Sequence, residues 1–332
     1  MFSKLNFRCL VLLFCCLAGC TPVAIPAGSA FLAPEVARDA FIMSDGAKLP
    51  YTAWLPAEAP RAIILGLHGF GDYSFNAFDI PAPLFTAAGI GIYAYDQRGF
   101  GAGPHGGFWA GSDTLAADVA AVTRLLRILH PGTPIFLMGE SMGVAVLLVA
   151  AASASPPPVE GYILLAPGLR GRATMGQFAR STLEFAAHTI PALGFSGSAP
   201  GFAPTNNQDA MRRWSTDPLT TKTFRVDLVY GVVNLMDDAL AAAPGFDKPA
   251  LILYGGLDTI IPQRSFRRFL QELPQSPRHR LAFYPKGHHL LLRDRERDSV
   301  ARDILSWLEA PDAPLPSGAD ASARNWLDRP TN

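Results

Sequence analysis

The stretch "PIFLMGESMGVAVLLVA", Pro134–Ala150, decides the reading of this chain. It begins as a short apolar run with strand character and ends as an apolar helix. Between the two lies Gly139-Glu140-Ser141-Met142-Gly143, which fits G-x-S-x-G. That motif has meaning only between a strand and a helix, where a sharp turn lifts the serine hydroxyl clear of the sheet. The context is present here. Gly139 and Gly143 have a physical reason: without a Cβ they leave the following helix room to pack closely on the turn. Ser141 is therefore the candidate nucleophile, and the bland alternative is a serine that happens to occupy a tight turn.

Working outward, strand-like and helix-like segments alternate. "DAFIMSDG" and "LPYTAWLP" form an expected opening hairpin turning at Asp45-Gly46. Residues 62–69, 89–96, 134–139, 161–168, 249–256 and 279–285 are apolar runs without alternation, as in strands buried on both faces. Residues 112–130, 264–273 and 298–309 have helical spacing. This order predicts an α/β fold with a mostly parallel central sheet flanked by helices. One interval, 170–245, offers no strong strand and is expected to be a helical cap inserted between late strands. The core is then 38–169 together with 246–310. The Pro/Ala-rich residues 20–37 read as a tether, and 311–332 as a flexible tail.

A serine hydroxyl needs a base to take its proton and a third group to orient that base. With a nucleophile on a strand-turn-helix elbow, the expected chain order is Ser, acid, His. Asp258, just past the run "LILYGG", is the candidate acid; the alternative is a turn residue after Gly255-Gly256. Asp237 and Asp238 fall within the cap and read as surface charges. His288 and His289 are adjacent, so at most one is the base. His289 is preferred because it suits a loop-to-helix entry with its ring facing the sheet end, and His288 is the alternative. An oxyanion hole needs two backbone N–H groups. Met142 N–H follows the nucleophile, and Phe70 N–H lies in "HGFGD", with His68 and Gly69 shaping that loop. "YDQRGFGAG" lacks the lysine of a phosphate-binding loop, and no metal-ligand spacing or dinucleotide fingerprint is present, so no cofactor and no metal is expected.

HGFGD, YDQRGFG, GESMG, the cap interval, GGLD and GHHLLLRD occur in this order. As an ordered set they resemble the α/β-hydrolase superfamily, and within it the monoacylglycerol lipase/lysophospholipase-like branch, also described as serine aminopeptidase-like, over residues 38–310. The chain departs from that pattern where many relatives have His before the nucleophile and two glycines after Met; here stand Glu140 and Gly143-Val144. Ala102 replaces a serine common in relatives. The resemblance implies a serine esterase working through an acyl-enzyme on a Ser-His-Asp triad, with a small acyl ester or lipid as substrate.

The 332 residues are 49% hydrophobic and 17% charged with zero formal net charge, which describes a globular chain and no nucleic-acid partner. The start has Lys4 and Arg8, an apolar run and small residues, the layout of an export signal. The run Leu10–Ala18 is about half of the ~20 residues that span a bilayer. Leu17-Ala18-Gly19-Cys20 resembles a bacterial lipobox. That resemblance implies cleavage before Cys20, acylation of its thiol, and attachment to the cell envelope, with the outer membrane facing the periplasm as the expected site. All four cysteines precede residue 21, so the body has no disulfide and no cysteine nucleophile.

Three readings follow. The first is a lipid-anchored hydrolase of carboxylic esters, with "FAAHTIPALGF" lining an acyl pocket. The second is a peptidase using the same groups, ranked lower for want of an acidic cluster suited to a free amino terminus. The third is an inactive ligand-binding lipoprotein, which would have no need of Ser, Asp and His in this order.

Overall fold

A computed structural model describes residues 20–196 and 203–329. The expected signal peptide, 1–19, lies outside the described residues, as do 197–202 of the cap. Strands β1 (Glu35–Val36), β2 (Ala40–Ile42), β3 (Lys48–Trp54) and β4 (Ala62–Leu67) lead to helices α1 (Ser74–Phe78) and α2 (Ala82–Thr86). Then come β5 (Ile90–Tyr95), α3 (Ser112–Leu129), β6 (Ile135–Glu140), α4 (Met142–Ala152) and β7 (Gly161–Leu165). The cap interval holds α5 (Gln177–Thr189), β8 (Gly194–Ser196), α6 (Gln208–Thr216), β9 (Thr223–Arg225) and α7 (Val226–Ala242). The core resumes with β10 (Ala250–Gly255), α8 (Gln263–Glu272), β11 (His279–Tyr284), α9 (Arg297–Glu309) and α10 (Ala319–Leu327).

One sheet of nine strands runs in the order β1-β2-β3-β5-β4-β6-β7-β10-β11. From β5 to β11 all pairings are parallel, and the hairpin β2–β3 joins through antiparallel β3–β5. The unbroken apolar runs are explained by burial on both faces. All six residues of β4, β5, β6 and β10 are buried, and each large aliphatic side chain so covered contributes roughly 1.5–3 kcal/mol. One face packs on α3, α4, α7 and α8, the other on α1, α2 and α9. Helix α4 is apolar all round because the sheet, α3 and α7 enclose it. Parallel register brings Leu67 opposite Gly139, Glu140 opposite Leu165, and Gly255 opposite Tyr284. The loops after β4, β6, β10 and β11 therefore leave the sheet at one edge, where open α/β sheets bind their ligands.

Two expectations need correction. Residues 311–329 are no loose tail. Trp326 is 4% exposed and stacks on Phe283 with ring centroids 5.1 Å apart, and Arg267 lies 4.0 Å over its ring. Helix α10 thus lies against β11, the terminal strand of the sheet, an edge that natural proteins cover. A nine-residue helix is marginal alone, and this one is fixed by the tryptophan. Residues 20–37 are no free tether either: Ile25 N–H donates to Trp109 O at 2.7 Å, Ala27 N–H to Thr114 Oγ1 at 3.2 Å and Phe31 N–H to Ser44 O at 2.9 Å. Backbone N–H groups donate all three bonds, so the side-chain composition of 20–37 does not announce them. The cap also contains a small antiparallel ribbon, β8 with β9, beside its helices.

Candidate active site

Ser141 sits between β6 and α4 at φ 54° and ψ −112°, a conformation that costs an L-residue roughly 1–3 kcal/mol. Its surroundings enforce the bend. A Cβ on Gly139 would lie 2.6 Å from Val144 N, and one on Gly143 would lie 2.4 Å from Leu67 O. Gly168, which the sequence reading did not single out, is a third such position, where a Cβ would come within 2.7 Å of Ser141 C. Ser141 N–H donates to Leu165 O at 2.9 Å, and Ser141 O accepts from Gly168 N–H at 3.1 Å. The turn is thus clamped between β6, β7 and the first turn of α4.

Met142 N–H belongs to that first turn and has no acceptor within the helix. The loop after β4 approaches from the other side, close enough that a Cβ on Gly69 would be 3.4 Å from Ser141 Cβ. His68 is fully buried. Its Nδ1–H donates to Gly69 O at 2.9 Å, and its Nε2 accepts from Gln97 N–H at 3.1 Å, the pattern of a neutral ring. Burial holds its pKa below the ordinary value. His68 therefore shapes the loop that presents Phe70. The cap braces the same loop. Thr221 N–H donates to Gly71 O at 2.8 Å, Tyr73 O–H donates to Asp217 Oδ2 at 2.6 Å, and Phe224 stacks on Phe70 at 4.8 Å.

Asp258 and His289 meet directly: His289 Nδ1 lies 2.8 Å from Asp258 Oδ2, and both side chains are buried. Asp258 Oδ1 accepts from Ile260 N–H and Ile261 N–H at 2.8 and 2.9 Å, so the carboxylate cannot swing away. The neighbouring His288 turns elsewhere, with its N–H and Nδ1 at 2.7 and 3.3 Å from Asp294 Oδ2. Asp294 Oδ1 in turn accepts from Thr205 Oγ1 at 2.6 Å, which ties the histidine loop to the cap. Asp237 pairs with Arg172 at 2.6 Å and Asp238 accepts from Ser112 Oγ at 2.6 Å, leaving both apart from His289.

Gly69, Phe70, Ser141 and His289 share one cavity of about 290 Å³. Its cap side is apolar, formed by Phe195, Trp214, Phe224 and Val229. The sequence assigned this lining to "FAAHTIPALGF". Among the described residues only Phe195 of that stretch takes part, while Phe185 and Leu193 are 70% and 54% exposed. Helix α5 buries Ala187 alone, so its apolar spacing does not mark a core face. Three charged groups escaped the sequence reading. Glu140, Asp72 and Arg293 all line the cavity and are all buried, Arg293 pairing with Asp72 at 2.6 Å and with Glu140. The replacement of histidine by Glu140 beside the nucleophile was the one available signal. Its partner lies 153 residues away and could not be named from the sequence.

A mostly parallel sheet with a glycine-walled serine elbow at its carboxyl edge, and an Asp–His pair beside it, defines an α/β-hydrolase. The serine aminopeptidase S33 family matches residues 58–296, and the chain belongs to that family. It is 25% identical over 277 residues to the monoacylglycerol lipase of Mycolicibacterium smegmatis, covering 79% of this chain and 93% of the relative. It is 25% identical over 276 residues to the monoglyceride lipase of Homo sapiens, covering 80% and 88%. A solved structure of a soluble variant of the Saccharomyces cerevisiae monoglyceride lipase, in complex with a substrate analog, is similar at a TM-score of 0.68 and 21% identity, covering 87% of this chain and 97% of that one. The Paleococcus ferrophilus monoacylglycerol lipase superposes at a TM-score of 0.64 with 23% identity, covering 78% and 98%. The protein is a serine ester hydrolase.

Proposed function

We propose that the protein hydrolyses acyl esters of the monoacylglycerol or lysophospholipid type through an acyl-enzyme on Ser141, with His289 as base and Asp258 as the acid that orients it. The observation that carries this reading is the shared cavity of Ser141 and His289, with His289 Nδ1 held by Asp258 at 2.8 Å. That bond leaves Nε2 as the basic nitrogen. Ser141 Oγ attacks the ester carbonyl carbon while its proton passes to Nε2. The carbonyl oxygen becomes an oxyanion that accepts from Phe70 N–H and Met142 N–H. The C–O bond to the alcohol breaks, and Nε2–H returns the proton to the departing oxygen. Water then attacks the acyl-serine by the same route and releases the carboxylic acid. Asp258 keeps the imidazole oriented throughout.

The apolar wall of Phe195, Trp214, Phe224 and Val229 suits an acyl chain. The lipase relatives support such a substrate. A peptidase acting at a free amino terminus would need a carboxylate for the ammonium group. The two carboxylates on the cavity wall, Asp72 and Glu140, are both already engaged by Arg293.

The test is hydrolysis of p-nitrophenyl esters, then of monoacylglycerols and lysophospholipids of graded chain length. Full activity in Ser141→Ala sinks the reading. The proposal extends to a lipid on Cys20, the first described residue, anchoring the enzyme in a bacterial envelope. Radiolabelled palmitate incorporated by the wild type and absent from Cys20→Ser is the expected result. Equal labelling of both would remove the anchor.

A further inference from the structure

Arg293 links the segments that carry Phe70, Ser141 and His289. Its Nη1 donates to Asp72 Oδ2 at 2.6 Å, two residues beyond Phe70. Its Nη2 donates to Glu140, the residue joined to Ser141. Its own backbone ends the turn Leu291–Arg293, four residues after His289. The turn that carries Arg293 is anchored, because Leu291 and Leu292 are each 1% exposed in the sheet's second core. Asp72 is fixed as well: its Oδ1 accepts from Tyr73 N–H at 2.9 Å and Asn76 Nδ2 at 2.7 Å.

Two carboxylates and one guanidinium in a buried site are a poor source of stability, since desolvation offsets most of the attraction. They are a good source of geometry. A planar fork that must satisfy acceptors on two different loops fixes both loops at once. Burial holds the Glu140 carboxyl above its ordinary pKa, and the Arg293 guanidinium works against that rise. The ordinary alternative is an ion triplet that only completes the fold.

We propose that Arg293 is a positioning residue, which through Glu140 and Asp72 sets the distances among Ser141, the Phe70 N–H and the His289 ring. This rests on the esterase reading above. The experiment counts active serines by stoichiometric labelling with a fluorophosphonate and expresses kcat per labelled serine, well below the thermal midpoint. Glu140→Gln keeps the shape and loses the charge. It is expected to lower kcat by about 100-fold, the usual consequence of a small misplacement, with KM within about twofold. Arg293→Lys is expected to retain more kcat than Arg293→Met. Asp303→Asn is the control. Asp303 is buried, accepts from Tyr284 O–H at 2.8 Å and lies away from the cavity, so this change should lower the thermal midpoint and leave kcat alone. Should Arg293→Met fail to fold, Glu140→Gln and Arg293→Lys decide alone. Unchanged kcat per labelled serine in both overturns the proposal. A wild type that neither labels nor hydrolyses esters overturns the esterase reading instead.

Discussion

His289 Nδ1 lies 2.8 Å from one oxygen of Asp258, and the other oxygen of that carboxylate is held by the N–H groups of Ile260 and Ile261. The acid is thus aimed by backbone on one side and aims the imidazole on the other. Asp258→Asn keeps the shape and supplies an amide in place of the acceptor, which favours the wrong tautomer of His289. The expected loss in kcat is about four orders of magnitude. Rates on a p-nitrophenyl ester, with the far-ultraviolet circular dichroism spectrum unchanged, check it; a loss under tenfold would contradict it.

The strain at Ser141 gives a prediction of opposite sign for stability. At φ 54° and ψ −112° glycine is relaxed and serine is not. Ser141→Gly should abolish activity and raise the unfolding free energy by about 1 kcal/mol. Ser141→Ala should abolish activity and leave the strain in place. Denaturant midpoints of the three proteins, measured side by side, test the ordering.

Buried His68 accepts from Gln97 N–H through Nε2 and carries a pKa below its ordinary 6.5 because burial disfavours the charged ring. The sign follows. Above pH 6.5 the ring is neutral in folded and unfolded chains alike and contributes no slope. As pH falls below that value, the unfolded ring binds a proton that the folded ring refuses, so stability drops by up to about 1.4 kcal/mol per pH unit until the folded pKa is reached. His68→Gln should lower stability at neutral pH and flatten this acid slope. Urea denaturation at steps from pH 7.5 to 5 reads both; an unchanged slope would place the proton elsewhere.

Trp326 joins the last helix to the sheet through stacking on Phe283 at 5.1 Å and through Arg267. Trp326→Ala should cost about 3–5 kcal/mol. Removal of 319–332 should uncover β11 and promote edge-to-edge association. Light scattering of the truncated protein against the full chain is the measurement. Equal stability and equal scattering would show that the helix is dispensable.

Glu140 also explains why part of the site was legible in advance and part was not. Short-range physics wrote the first part. A serine between two glycines, framed by an apolar strand and an apolar helix, bends sharply there, and short apolar runs bounded by turn residues read as strands covered on both sides. Those local constraints fixed the parallel sheet, the elbow, and the two loops from which an acid and a base were to come. They also narrowed the base to two neighbouring histidines.

Tertiary structure decided whatever depended on which distant groups meet. It turned His289 to Asp258 and His288 to Asp294, a choice between adjacent, identical side chains that only the path of the loop can make. It set Gly168 against the elbow, supplied Arg293 to Glu140 across 153 positions, and built most of the pocket's cap side from Trp214, Phe224 and Val229, with Phe195 alone from the expected stretch among the described residues. It also folded the apparent tether and tail onto the body. A residue's conformational preference is local and can be read from its neighbours; a contact between segments far apart exists only once the chain has closed.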